Sequence, residues 1–127
     1  MEIFTHQSID PALCGRPVTL EEGFSRVELK TTAQMAVDSS GLIHGGFIFG
    51  LADYAAMIAV NHPHVVLGAA EVKFVKPVKA GQTVSVEAKV VFKDGKKHQV
   101  AVTGRRADET VFQGDFTCFV LGKHVLG

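Results

Sequence analysis

The chain lacks an excess of charge of either sign: its 127 residues carry 13 Lys plus Arg against 13 Asp plus Glu. Without a global positive field nothing draws it to nucleic acid or to an anionic membrane, and neither is expected as a partner. Cysteine is scarce. Cys14 and Cys118 sit far apart, form no CxxC pair and have no histidines at zinc-finger spacing, so free thiols in a reducing compartment are expected, and no metal or other cofactor. The N-terminus has an acid at position 2 and no basic stretch leading into an apolar one, which does not read as a signal peptide. A cytoplasmic location is the expectation. Repeats, low-complexity tracts and linkers are also missing, so 1–127 reads as a single domain, with 1–16 a loosely organised lead-in around Pro11 and Gly15.

Apolar residues, in contrast, are plentiful. They make up 46% of the chain against 20% charged, with a mean hydropathy of +0.21, which is apolar for a small domain with a high surface-to-volume ratio. Part of that surface is expected to meet another subunit. The apolar excess is densest from Leu42 to Val60, where only His44 and Asp53 interrupt it. Three glycines and a central carboxylate argue against a membrane span, since an acid at mid-bilayer costs about 2.5 to 3.5 kcal/mol. Phe47 to Val60 suits a buried helix instead, stopped by Asn61 and Pro63. A helix that is apolar all round must be surrounded by protein.

Strand patterns supply the surround. Val27 and Leu29 alternate with charged residues in a strand over Glu22 to Thr31, and Val65 to Val75 forms another. Val84, Val86, Ala88, Val90 and Phe92 alternate with polar residues. Asp94-Gly95 then signals a hairpin into Gln99 to Arg105, and Ala107 to Thr110 turns the chain into Val111 to Leu121. The fold expected is α+β: an antiparallel sheet curled around one long central helix.

Chemistry concentrates in Asp38 to Asp53, DSSGLIHGGFIFGLAD. Gly45-Gly46 at the helix start either makes a tight turn or exposes backbone N–H groups to a ligand, and such groups at a positive helix end can hold an oxyanion. Asp53 has no intrahelical partner: Phe49, Gly50, Ala56 and Met57 are its neighbours at three and four residues. It is therefore a general base or nucleophile facing a cavity, or a buried structural acceptor. His44 either caps the helix or lines the site. It stands nine residues from Asp53, with His62 and His64 beyond the helix, so no zinc spacing exists. Lys93, Lys96, Lys97, Arg105 and Arg106 gather around one hairpin, which either meets a phosphate or is a solvated tip.

The run Gly41-x-x-His44-Gly45-Gly46-x-x-x-x-Leu51-x-Asp53, followed by Val72-x-Phe74-x-x-Pro77-Val78-x-x-Gly81-x-x-Val84, resembles the hot-dog-fold acyl-coenzyme A thioesterases of the phenylacetate-pathway and 4-hydroxybenzoyl type, over about residues 20 to 121. The resemblance implies hydrolysis of an acyl-coenzyme A to free acid and coenzyme A. Asp53 would be nucleophile or general base, the Gly45 N–H would polarise the thioester oxygen, and His44 would support the turn. It further implies a homo-oligomer, a dimer or tetramer, with acid and glycine of one site drawn from different subunits. Gly46, Phe47, Ser39, Ser40, Lys96 and Arg105 are the substrate-binding candidates. Where many relatives have Asn or Gln, this chain has Asp38, which either shares a proton with Asp53, raising one pKa and altering which group attacks, or marks a subfamily with another substrate or weaker activity. A non-catalytic acyl-coenzyme A binding protein and a hot-dog hydratase or dehydratase are the alternatives.

Overall fold

The computed structural model describes residues 1–127. A short helix, α1 (Pro11–Cys14), precedes β1 (Arg16–Glu21) and β2 (Phe24–Lys30). A 3-10 turn (Ala33–Met35) leads to the long helix α2 (Gly45–Val60), followed by β3 (Val65–Phe74), β4 (Thr83–Asp94), β5 (Lys97–Arg106) and β6 (Glu109–Val120). The six strands form one sheet in the order β1-β2-β4-β5-β6-β3, and every pairing is antiparallel. The expected curled sheet around one helix is therefore present, with one strand more than the sequence pattern indicates. That strand, β1, carries Pro17 and a register shift between Pro17 and Thr19. Both features belong to a sheet edge and disguise the period-two signal.

α2 starts two residues earlier than Phe47 because His44 caps it. The His44 backbone is extended, and its Nδ1 accepts the Gly46 N–H at 2.7 Å. The helix ends at Asn61, which adopts the left-handed conformation and donates its N–H to Met57 O at 2.8 Å. Leu51, Ala52, Ala55, Ala56 and Ile58 are fully buried, and they join Val27, Val84, Val86, Ala88, Phe112 and Phe116 in one core. The run of alanines lets the sheet approach closely. At that contact the fully buried Ser25 donates its hydroxyl to Ala55 O at 2.6 Å, so its polarity is satisfied.

One expectation changes. Phe92 lies outside, 58% exposed, because a bulge between Val90 and Phe92 reverses the alternation along β4. The 1–16 lead-in contains the short helix α1 and is fastened to the core at several points. Ile3 and Ile9 pack on the core, Thr5 is buried, and Asp10 caps α1 by accepting Ala12 N–H at 2.9 Å. Asn61 fastens the segment twice: it accepts Phe4 N–H and donates to Glu2 O, both at 2.8 Å. The physical reason is the apolar helix itself, since Ile3 and Ile9 add apolar cover to the core it anchors. No helix of the chain is long and apolar enough to cross a membrane.

Candidate active site

The approach to α2 is built by backbone pairing. Val37 N–H donates to Leu42 O at 2.8 Å, closing a turn through Asp38, Ser39, Ser40 and Gly41. Ile43 N–H and His44 N–H are held by Val78 O and Met35 O, both at 2.9 Å. Inside the turn the Asp38 carboxylate accepts both the Ser40 N–H (2.9 Å) and the Ser40 hydroxyl (2.5 Å). These two bonds hold the Asp38 carboxyl below the usual carboxylate range, in full contact with solvent. Ser39 is exposed beside it.

At the helix start the donors divide. The Gly46 N–H is taken by His44 Nδ1 and the Phe47 N–H by His44 O at 3.1 Å, whereas the Gly45 N–H has no acceptor within the chain. Of the two glycines, then, only Gly45 offers its amide to a ligand; Gly46, a substrate-binding candidate, has spent its own on the cap. The His44 ring stands edge-on to Phe47 at 6.3 Å. Above Gly45 lies Phe74, so close that a Cβ on Gly45 would stand 3.2 Å from its ring. Only glycine fits beneath that ring without displacing it. The Phe74 ring is half-exposed and braced edge-on against the fully buried Phe112 at 5.3 Å. Together with Leu42, Ile48, Pro77, Val78 and Val111 it lines an apolar groove of about 300 Å³ that reaches Gly45. The groove wall is pinned by Val75 N–H to Val111 O (2.8 Å) and by the Arg106 guanidinium donating to Pro77 O. The sequence offers no local hint that Phe74 lands on Gly45, because that contact is set by β3 pairing with β6.

Asp53 sits eight residues further along α2, about 12 Å at 1.5 Å per residue. One turn before it, Phe49 stacks on Phe116 of β6 at 5.5 Å, so this side of the helix faces β6. Asp53 Oδ1 is buried without a hydrogen-bond partner, and burial pushes the carboxyl up to about 6. Burial raises the two thiols near it as well, Cys118 to about 12, with the Asp53 charge adding to both. Neither is a nucleophile near neutral pH. Burial is the cause of the raised Asp53 pKa, and Asp38 of the same chain does not contribute to it. The reason is the Asx turn, which keeps Asp38 bonded to Ser40 in solvent.

The basic cluster is also split. Lys96 lies in the β4–β5 turn and Arg105 at the far end of β5, about 30 Å away at the strand's rise per residue. Arg105 pairs with Glu87 at 3.4 Å and Arg106 with Glu109 at 2.5 Å. Arg105 is at the Gly45 end of the sheet, while Lys96 is at the end where α2 finishes. No group of His, Cys, Asp or Glu in the chain is placed to hold a metal.

Comparison with known proteins gives the arrangement a context. Residues 40–113 match the model of the thioesterase superfamily. Over 95% of its length the chain is 49% identical to a methylthioribose-1-phosphate isomerase of Aquifex aeolicus, of which it covers 27%. It is 26% identical over 88% of its length to a transcription factor FapR of Caldanaerobacter subterraneus, covering 56% of that protein. To the acyl-coenzyme A thioesterase PaaI of Escherichia coli it is 35% identical over 68% of its length, covering 59% of that protein. The chain thus spans between about a quarter and three fifths of these relatives. A crystal structure of an uncharacterized protein from Pyrococcus horikoshii superposes with a TM-score of 0.99 at 52% identity, over 100% of this chain and 98% of that one.

Proposed function

The chain belongs to the thioesterase superfamily and has its hot-dog fold, and from that premise we propose that it hydrolyses acyl-coenzyme A thioesters at a site completed by a second copy. The observation that carries the reading is Asp53, a half-buried residue of the central helix whose Oδ1 is buried without a hydrogen-bond partner. A polar group in that state costs stability and is retained where its chemistry is used. Its pKa near 6 makes it ionised at neutral pH yet basic enough to accept a proton from water.

Gly45 supplies the complementary half. Its free N–H, at the positive end of α2, takes up charge developing on the thioester oxygen. Both groups must lie within about 3 Å of the reacting carbonyl or its attacking water. Along one helix they are about 12 Å apart, so one carbonyl draws Gly45 from one copy and Asp53 from another. The sheet favours such pairing. Its β3 edge is a ten-residue strand whose outer backbone groups are unpaired, while the β1 edge is six residues long and blunted by Pro17. In the hydrolysis Asp53 takes a proton from water as the oxygen adds to the carbonyl carbon. The oxyanion collapses, the C–S bond breaks, and the coenzyme A thiolate leaves and takes up the proton that Asp53 gives back. Direct attack by Asp53 would instead expel the thiolate as a mixed anhydride forms, and water then opens the anhydride to the free acid and the restored Asp53 carboxylate. His44 holds Gly46 and Phe47, and thereby the orientation of the Gly45 amide. Asp38, Ser39 and Ser40 form the exposed lip of this end. Because Lys96 and Arg105 lie at opposite ends of β5, only Arg105 is within reach of the same chain's Gly45 end.

Release of thiol from a panel of short, long, branched and aromatic acyl-coenzyme A esters tests the reading, with sedimentation to count subunits. A second reading rests on the likeness to a transcription factor over most of the chain: a domain that binds acyl-coenzyme A without cleaving it. Saturable binding with no thiol released over hours would establish that one instead.

A further inference from the structure

A second cleft lies away from the Gly45 groove, between the docked N-terminal segment, the start of β1 and α2. Its volume is about 530 Å³, within the range of small-molecule sites. Ile3, Ile9 and Pro17 give it apolar walls, and its polar lining includes His6, Arg16 and Tyr54, with no carboxylate.

Those three side chains have unused hydrogen-bonding capacity. Arg16 is exposed and makes no ion pair, although Glu28 stands opposite it across β1 and β2. The Tyr54 hydroxyl has no partner within the chain, and its residue is only 7% exposed. His6 uses one ring nitrogen on the Thr5 hydroxyl at 2.7 Å, leaving the other free, and its ring lies 6.4 Å from that of Tyr54. His6 also has φ 53°, in the left-handed region that histidine adopts more readily than most non-glycine residues. The other nearby acids are occupied or turned elsewhere: Asp10 caps α1, and Asp53, next to Tyr54 in sequence, does not line the cleft.

We infer that this cleft is a binding site for a small apolar carboxylate, such as a medium-chain or aromatic acid. The carboxylate accepts from Arg16 and the Tyr54 hydroxyl, and the apolar body lies against Ile3, Ile9 and Pro17. An unpaired guanidinium, a free hydroxyl and apolar walls, in a lining that holds no carboxylate, complement such a ligand by both charge and shape. The site is separate from the Asp53 centre, so its occupancy does not depend on whether the chain cleaves thioesters.

Calorimetric titration of the whole protein with octanoate and with 1-octanol tests this. Octanoate binds, and octanol, with the same apolar body and no charge, binds at least ~10-fold more weakly. Arg16→Ala, an exposed position whose loss leaves the fold intact, abolishes that preference, and Tyr54→Phe weakens octanoate several-fold. Asp53→Asn leaves octanoate affinity within about twofold, as expected of a site the residue does not touch. Failure of octanoate to bind, equal binding of the alcohol, or indifference to Arg16→Ala would overturn the inference. So would a large change on Asp53→Asn, which would place the acid at the Asp53 centre.

Discussion

Asp38 and Asp53 are the same residue type in one 16-residue stretch, yet their surroundings push them in opposite directions. In the exposed turn, two bonds from Ser40 keep Asp38 ionised. In the helix, no donor reaches Asp53 Oδ1, and burial raises the group from 3.8 to about 6. The turn carboxylate is satisfied by its own loop. The helical one is not satisfied by anything in its chain, which is the condition of a group that awaits substrate, water or another subunit. Chemistry at this end of the molecule is therefore expected to follow the unsatisfied acid and to ignore the satisfied one.

The strongest way to break that contrast is Asp53→Asn. Turnover of a cleaved acyl-coenzyme A should fall at least ~10²-fold with assembly unchanged, the scale of losing a general base. Unaltered thiol release from a folded, assembled variant would remove Asp53 from the mechanism. The pH profile sharpens the same point. The base works ionised, so wild-type turnover should decline as pH drops through about 6, approaching tenfold per pH unit below it.

Stability should move the other way. Because the folded chain binds the Asp53 proton more tightly than the unfolded chain, stability is lost as pH rises from about 4 to about 6. A pKa difference of that size between the folded and unfolded chain is worth about 2 to 3 kcal/mol. Asp53→Asn should therefore unfold at a higher denaturant concentration than wild type at pH 8 and gain nothing at pH 4. A variant that is more stable and less active is the signature of a residue kept for function.

How much of this contrast the sequence discloses depends on the range of the cause. Asp53 stands out locally, since the apolar residues at three and four positions on either side are fixed by helix periodicity alone. The curled sheet is legible for the same reason, from alternation within each strand. What escapes is set by partners distant in sequence. β1 is hidden by its proline and register shift, Phe92 is turned outward by a bulge, and Phe74 reaches Gly45 only through the β3–β6 register. Lys96 and Arg105 look like neighbours around a hairpin until the ten-residue length of β5 separates them. Residues 1–15 look loose because their fastening is to Asn61, at the other end of α2.

His44 lies between the two acids, and its effect should be intermediate. His44→Ala removes the acceptor of the Gly46 N–H, so it should destabilise the chain by about 1 kcal/mol, the usual worth of a helix cap, read as a shift in the urea midpoint. It also frees a second amide beside Gly45. A fall in turnover larger than the stability loss explains would show that the orientation of the Gly45 amide, and not only the helix, depends on the cap.

The smallest effect belongs to Asp38→Asn. The asparagine Oδ1 can still accept from Ser40 N–H and the Ser40 hydroxyl, so the turn keeps its geometry while losing its charge. If Asp38 and Asp53 act independently, turnover should stay within about twofold and the pH midpoint near 6 should not move, as for sites that share no partner. The opposite outcome belongs to a dimer that sets the Asp38 turn of one copy beside the other copy's Asp53. In that arrangement the Asp38 charge would raise the Asp53 pKa, and Asp38→Asn would lower the midpoint of the pH profile. An unchanged midpoint keeps the two acids in separate roles; a lowered one makes them a coupled pair assembled only between subunits.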